Sequence, residues 1–124
     1  MEKSKVLIID DENDIVDTLF FMLYANNYDV YSALDGSEGL ELARNEHPDL
    51  AIVDIVMPDM NGFEVCEKLR KEDSTRDVSI IILSARADDE SIRRAYKSGA
   101  DDYITKPIDF TKLLGKMGHL IAAR

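Results

Sequence analysis

Hydrophobic positions along the chain fall into two alternating kinds of segment. Short, nearly unbroken apolar runs predict strands at Lys5–Ile9, Asp29–Ser32, Asp49–Val53, Val78–Leu83 and Asp102–Ile104. The first, third and fourth are almost all Val, Ile, Leu and Ala, with no in/out alternation. Strands covered on both faces read that way, and parallel sheets require such cover. Between the runs the apolar spacing becomes helical. Ile15, Leu19 and Met22, flanked by Val16, Phe20 and Leu23, form one wide apolar face. A thinner face runs from Gly36 to Glu46, with Leu42 and Ala43 expected to point inward. Phe63, Cys66 and Leu69 repeat at three, so Cys66 reads as core. Ile92, Ala95 and Tyr96 mark a fourth helix that Ser98-Gly99 should end. Phe110, Leu113, Leu114, Met117, Leu120 and Ile121 make the clearest stripe, on the last helix.

Strand and helix alternating five times predict an α/β fold, an open, mostly parallel sheet with five helices on its two faces. Right-handed crossovers restrict the topology. Of the two common doubly wound orders, 2-1-3-4-5 suits five strands better than the six-stranded arrangement. Strands 1 and 3 are then neighbours where the winding reverses, and ligands of such sheets sit at the carboxyl ends of the strands at that point.

Length changes the picture only by limiting it. At 124 residues the chain has room for one ordinary domain, and no linker or repeat divides it. Residues 1–124 therefore read as one domain with no output domain attached. The single cysteine, Cys66, excludes an internal disulfide. The apolar run Val6–Ile9 is too short for a signal peptide, and nothing approaches the roughly 18 residues of a membrane span. A cytoplasmic protein is expected. The net charge of −10 argues against direct binding to nucleic acid or an anionic membrane, and suits a divalent metal or a basic partner.

The candidate chemistry sits at the strand ends. Asp10 and Asp11 follow strand 1, and Asp54 follows strand 3. Neighbouring strands lie about 4.8 Å apart, so these carboxylates should converge, and like charges held together are unfavourable without compensation. Mg²⁺ takes one or two carboxylates plus waters and a phosphate oxygen, which matches this inventory better than Ca²⁺ or zinc. Strand 4 ends at Ser84-Ala85 and strand 5 at Thr105-Lys106-Pro107, adding a hydroxyl and a cation. A carboxylate is already ionised at pH 7 and needs no base to act as a nucleophile. Asp54, central in the sheet, is the candidate. The metal and Lys106 would offset charge on the transferring phosphoryl, with Ser84 donating a hydrogen bond. A lone Asp after a strand is ordinarily a turn or cap residue; the joint placement of three acids with Lys106 changes that reading. His47 and His119 read as surface residues.

Five spaced motifs carry a family resemblance over essentially the whole chain: Asp10-Asp11, the run Asp54-Ile-Val-Met-Pro-Asp-Met-Asn-Gly62, Ser84-Ala85, Gly99-Ala-Asp-Asp-Tyr103 and Lys106-Pro107. The chain resembles the response regulator receiver domains of two-component signalling, which share the flavodoxin-like topology. The resemblance implies that Asp54 takes a phosphoryl group from a phosphohistidine on a sensor histidine kinase or histidine phosphotransfer protein. It implies a Mg²⁺ site made by Asp11 directly, Asp10 through water, Asp54 and the Val56 main-chain carbonyl. Ser84 and Tyr103 match coupled switch positions, with Tyr103 turning inward on activation. Lys106 matches the phosphate-binding lysine, followed by a cis Lys106-Pro107 bond. The switched surface would be the face of helix 4, strand 5 and helix 5, read by a downstream effector domain or protein. Autophosphorylation from small donors and intrinsic auto-dephosphorylation are implied, without enzyme turnover. Lys112 departs from the winged-helix DNA-binding branch, which usually carries an acid there in its dimer ion-pair network. Gly115 and Gly118 each disfavour the last helix by about 1 kcal/mol relative to alanine, so it is expected to fray unless covered.

Two rivals use the same topology. A small Mg²⁺ phosphatase of the haloacid-dehalogenase kind needs a second Asp two residues after its nucleophile, where this chain has Val56. A flavodoxin-like electron carrier needs a loop that cradles the FMN phosphate, and Asp10-Asp11-Glu12 would repel it.

Overall fold

The computed structural model describes residues 2–124. Five parallel strands, β1 (Lys5–Ile9), β2 (Asp29–Ala33), β3 (Leu50–Val53), β4 (Ser79–Ser84) and β5 (Asp102–Thr105), pair in the order β2-β1-β3-β4-β5. The helices between and after them are α1 (Asn13–Ala25), α2 (Gly36–Glu46), α3 (Gly62–Lys71), α4 (Asp89–Ser98) and α5 (Phe110–Ala122). Both the fold class and the strand order match the sequence expectation. The strand limits differ from it by a residue at four of the five strands. Among the described residues, no helix is long and apolar enough to cross a membrane.

The sheet has two cores because its strands send alternate side chains to opposite faces. Leu7, Ile9, Ala51, Val53, Ile80, Ile82 and Tyr103 pack against Leu40, Phe63, Cys66, Leu69 and Ala95. On the other face, Val6, Ile8, Leu50, Ile52, Ile81, Leu83 and Ile104 pack against Val16, Leu19, Leu23, Leu113 and Met117. Both sets are apolar, which is why no polar alternation shows along the chain. Burial pushes the Cys66 thiol up to about 12, so this cysteine is unreactive core.

Three helix faces differ from expectation. On α2 the inward positions are Leu40 and Ala43, with Gly39 flat against Ile9 of the sheet and Gly36 against Met60 and Val65; Leu42 only flanks the core. Phe20 on α1 lies outside the buried Val16–Leu19–Leu23 stripe and is 39% exposed. Tyr96 on α4 is 46% exposed, its hydroxyl donating to Asp102 at 3.3 Å. On α1 and α4 two or three smaller residues fill the contact, so the aromatic side chain is turned outward.

Gly115 and Gly118 do not interrupt α5. Leu113 and Met117 are fully buried, and the Lys116 ammonium reaches Asp102 at 2.8 Å. The Arg124 guanidinium closes the far end, donating to the carbonyls of Asp49 at 2.6 Å and Asp77 at 2.9 Å. Gly99 ends α4 at φ 117°, a conformation that favours glycine. Below it, Arg70 donates to the Gly99 carbonyl and to Asp101, tying α3 to the α4–β5 turn.

Candidate functional site

Main-chain ladders carry the site residues past the strand ends. The register pairs Ile9 with Val53, so Asp10 and Asp54 emerge side by side. The Asp54 N–H donates to the Ile9 carbonyl at 2.9 Å, and the Asp10 N–H to the Ala33 carbonyl at 3.2 Å. Ser84 pairs with Thr105 across the β4–β5 edge, and the Lys106 N–H donates to the Ser84 carbonyl at 2.8 Å. Asp10, Asp54, Ser84 and Lys106 are thereby each held by a neighbouring strand.

Lys106 is the hub. Its Nζ lies 3.1 Å from Asp10 Oδ2, 2.9 Å from Glu12 Oε1 and 3.2 Å from Asp54 Oδ2. Asp10 and Asp54 are buried, and Glu12 faces solvent. The remaining oxygens of the buried pair are also used. Asp10 Oδ1 accepts from the Glu12 N–H at 2.9 Å, and Asp54 Oδ1 from the Ile55 N–H at 2.7 Å. The Lys106–Pro107 bond is cis, as expected.

One cation shared by three anions leaves net negative charge in a poorly solvated place. Burial raises the Asp10 carboxyl above the ordinary carboxylate range; Asp54 adds to the rise, while the Glu12 amide and Lys106 oppose it. Burial alone would lower the Lys106 ammonium, but Glu12 and Asp10 hold it above its usual range.

The acidic cluster differs from the expected one by a residue. Ligand atoms of Asp10, Glu12 and Asp54 lie within 4.8 Å of one another. Asp11 is exposed and lines the cleft mouth with Val56, Ser84, Ala85 and Arg86, outside that trio. The chain bends at Asp11 immediately after β1, leaving Asp10 buried and Asp11 exposed. Glu12 was missed because it reads locally as the start of α1, where it is the N-cap; only its contact with Lys106 reveals a second use. The donor set is all oxygen and mostly carboxylate, which fits a small hard cation.

Ser84 is buried, and its Oγ accepts from the Arg86 N–H at 3.2 Å. Tyr103 is 9% exposed, its hydroxyl donating to the Arg86 carbonyl at 2.7 Å. The expectation that this ring turns inward on activation meets a ring that already lies inward. Arg86, not singled out beforehand as a link, joins the two positions through its own main chain. His47 and His119 are both exposed, as expected.

A model of the response regulator receiver domain family matches residues 6–117. The chain belongs to that family. As a receiver it is similar to a DNA-binding dual master transcriptional regulator, RpaA of Synechocystis sp., at 38% identity over 94% of this chain and 48% of that protein. It is 46% identical to a "Probable transcriptional regulator ycf27" of Porphyridium aerugineum, over 86% of this chain and 43% of that one. The receiver thus spans about half the length of the curated relatives it matches. Among solved structures, a CheY-like receiver domain protein from Methanospirillum hungatei superposes with a TM-score of 0.92 at 33% identity, covering 98% of this chain and 96% of the other. The match is to signalling receivers, and the small-phosphatase alternative finds no support in it.

Proposed function

We propose that Asp54 is the phosphoryl acceptor of this receiver, working with Mg²⁺ and Lys106. The observation that supports it best is the Lys106 ammonium placed between the Asp54 and Asp10 carboxylates at the switch point of the sheet. An Asp54 oxygen attacks phosphorus, forming an acyl phosphate. The bond from phosphorus to the donor's imidazole nitrogen breaks, and that nitrogen keeps the electron pair. Lys106 holds its positive charge beside the transferring oxygens, and Ser84 lies close enough to the cleft to donate to the product. Mg²⁺, held by Asp10, Asp11, Asp54 and the Val56 carbonyl, with Glu12 as a further carboxylate, would neutralise charge on the phosphoryl oxygens.

The donor is a phosphohistidine on a sensor kinase or phosphotransfer protein, or a small acyl phosphate. Drawing the Ser84 hydroxyl toward the phosphoryl would free the Arg86 amide, and the Arg86 carbonyl is what Tyr103 holds. The switch then passes from β4 to β5 through one residue and reaches the face of α4, β5 and α5. An effector must bind the two states differently to read it. The charge of −10 favours a basic protein surface over DNA or an anionic membrane for this domain.

Intact mass after incubation with Mg²⁺ and acetyl phosphate tests the reading. One added phosphoryl is expected in the wild type, none in Asp54→Asn, and none in EDTA. An adduct that survives Asp54→Asn would place the acceptor elsewhere.

A further inference from the structure

The stretch from Ile55 to Asn61 joins Asp54 to α3 and walls one side of the cleft through Val56. It contains neither helix nor strand. Its ends are fixed by main-chain bonds: Ile55 N–H to Asp54 Oδ1 at 2.7 Å, and Gly62 N–H to the Ile55 carbonyl at 2.8 Å. In its middle, Met57 and Met60 pack against the core, and one side chain, Asp59, supplies the hydrogen bonds that tie it to a neighbouring element.

Asp59 is exposed, yet its carboxylate accepts four hydrogen bonds. Oδ1 takes the Gly36 N–H and the Met60 N–H, each at 2.9 Å. Oδ2 takes the Ser37 N–H at 2.9 Å and the Ser37 hydroxyl at 2.8 Å. Three of the four come from the first turn of α2. That helix already has its own cap, because Asp35 accepts the Glu38 N–H at 2.8 Å, and the Asp35 carbonyl accepts the Gly39 N–H at 3.1 Å. Asp59 takes the two amides that Asp35 leaves unpaired, where the helix dipole also favours a negative charge. The Gly36 amide first, then Ser37, hold this carboxyl far below the usual carboxylate range. Met60 packs on the same spot, since a Cβ on Gly36 would run into its side chain.

We propose that Asp59 is a positioning residue for the cation site: it bolts the Val56 wall of the cleft to α2, so the wall is shaped before the metal or phosphoryl arrives. The proposal rests on the reading of this cleft as the Mg²⁺ site. Asp59 bonds only to main chain and to Ser37, so it acts through the loop. A loop ordered in advance loses little conformational freedom when the cation binds, and one released from α2 must be ordered at that moment.

Isothermal titration with Mg²⁺ on the full chain, paired with amide exchange and thermal unfolding in EDTA, tests this. Asp59→Ala is expected to raise the Kd for Mg²⁺ about fivefold to tenfold, the scale of ordering about one residue. Exchange should quicken at Val56, Met57 and Met60 while the sheet stays protected. Asp59→Asn, which keeps one acceptor oxygen, should fall between. Ser37→Ala removes one bond from the α2 side, leaves the loop sequence untouched and should shift the Kd the same way by less. Wild-type Mg²⁺ affinity in Asp59→Ala, with or without a lower thermal midpoint, would reduce Asp59 to a plain structural brace. A wild type that binds no Mg²⁺ would instead overturn the reading of the cleft, and this proposal with it.

Discussion

Asp10 is the residue on which the site's electrostatics turn. Its folded-state carboxyl lies above the unfolded value, so proton binding favours the folded chain. The ionised group therefore costs stability at neutral pH, and that cost fades as pH falls through the raised value. Asp10→Asn keeps the shape and removes the charge. In EDTA at pH 7 its thermal midpoint is expected to rise. Added Mg²⁺ should then stabilise it less than the wild type, and the advantage in EDTA should shrink at pH 4. Circular-dichroism melts at the two pH values check this, and a lower midpoint for the variant in EDTA at pH 7 would contradict it. Joint placement at neighbouring strand ends singled out Asp10, Asp54, Ser84 and Lys106, and with them Asp11, which stays exposed outside the trio. Glu12 and Arg86 were not legible as partners, because their roles exist only through Lys106 and Tyr103, which lie far along the chain.

Among the elements, α5 shows tertiary ties set against an unfavourable local composition. Its two glycines predict a weak helix, but the buried Leu113 and Met117 and the ties through Lys116 and Arg124 are tertiary, and no local pattern announces them. A Cβ added at Gly115 or Gly118 would meet nothing within 4 Å. Gly115→Ala and Gly118→Ala should each raise stability by about 0.5–1 kcal/mol, measurable as a higher urea midpoint at unchanged slope. Gly39→Ala on α2 has the opposite expectation, because its Cβ would lie 2.5 Å from Ile9 Cδ1. The same contact explains the misread face of α2. Gly39 carries no apolar side chain to count, yet it marks the side that lies against the sheet, with Leu40 rather than Leu42 beside it.

Across the whole molecule, the strand order was legible because five apolar runs alternating with helical segments leave few right-handed ways to wind. The way the sheet divides its side chains between two cores was not, since β1, β3 and β4 put apolar side chains on both faces. The ion pairs at Lys106 join residues 96, 94 and 52 positions apart. A copy still emerging from the ribosome has its acidic pair long before it has the lysine that balances them. No short segment around Asp54 reproduces the site, so a donor can distinguish a finished receiver from a broken or unfinished one by chemistry alone. Labelling by acetyl phosphate should therefore fall with urea at the same midpoint as the loss of helix signal. A label that outlasts the fold would mean that local sequence is enough to accept it. If the two midpoints coincide, every phosphorylated molecule is also a quality-checked one, and a misfolded copy cannot carry a false message.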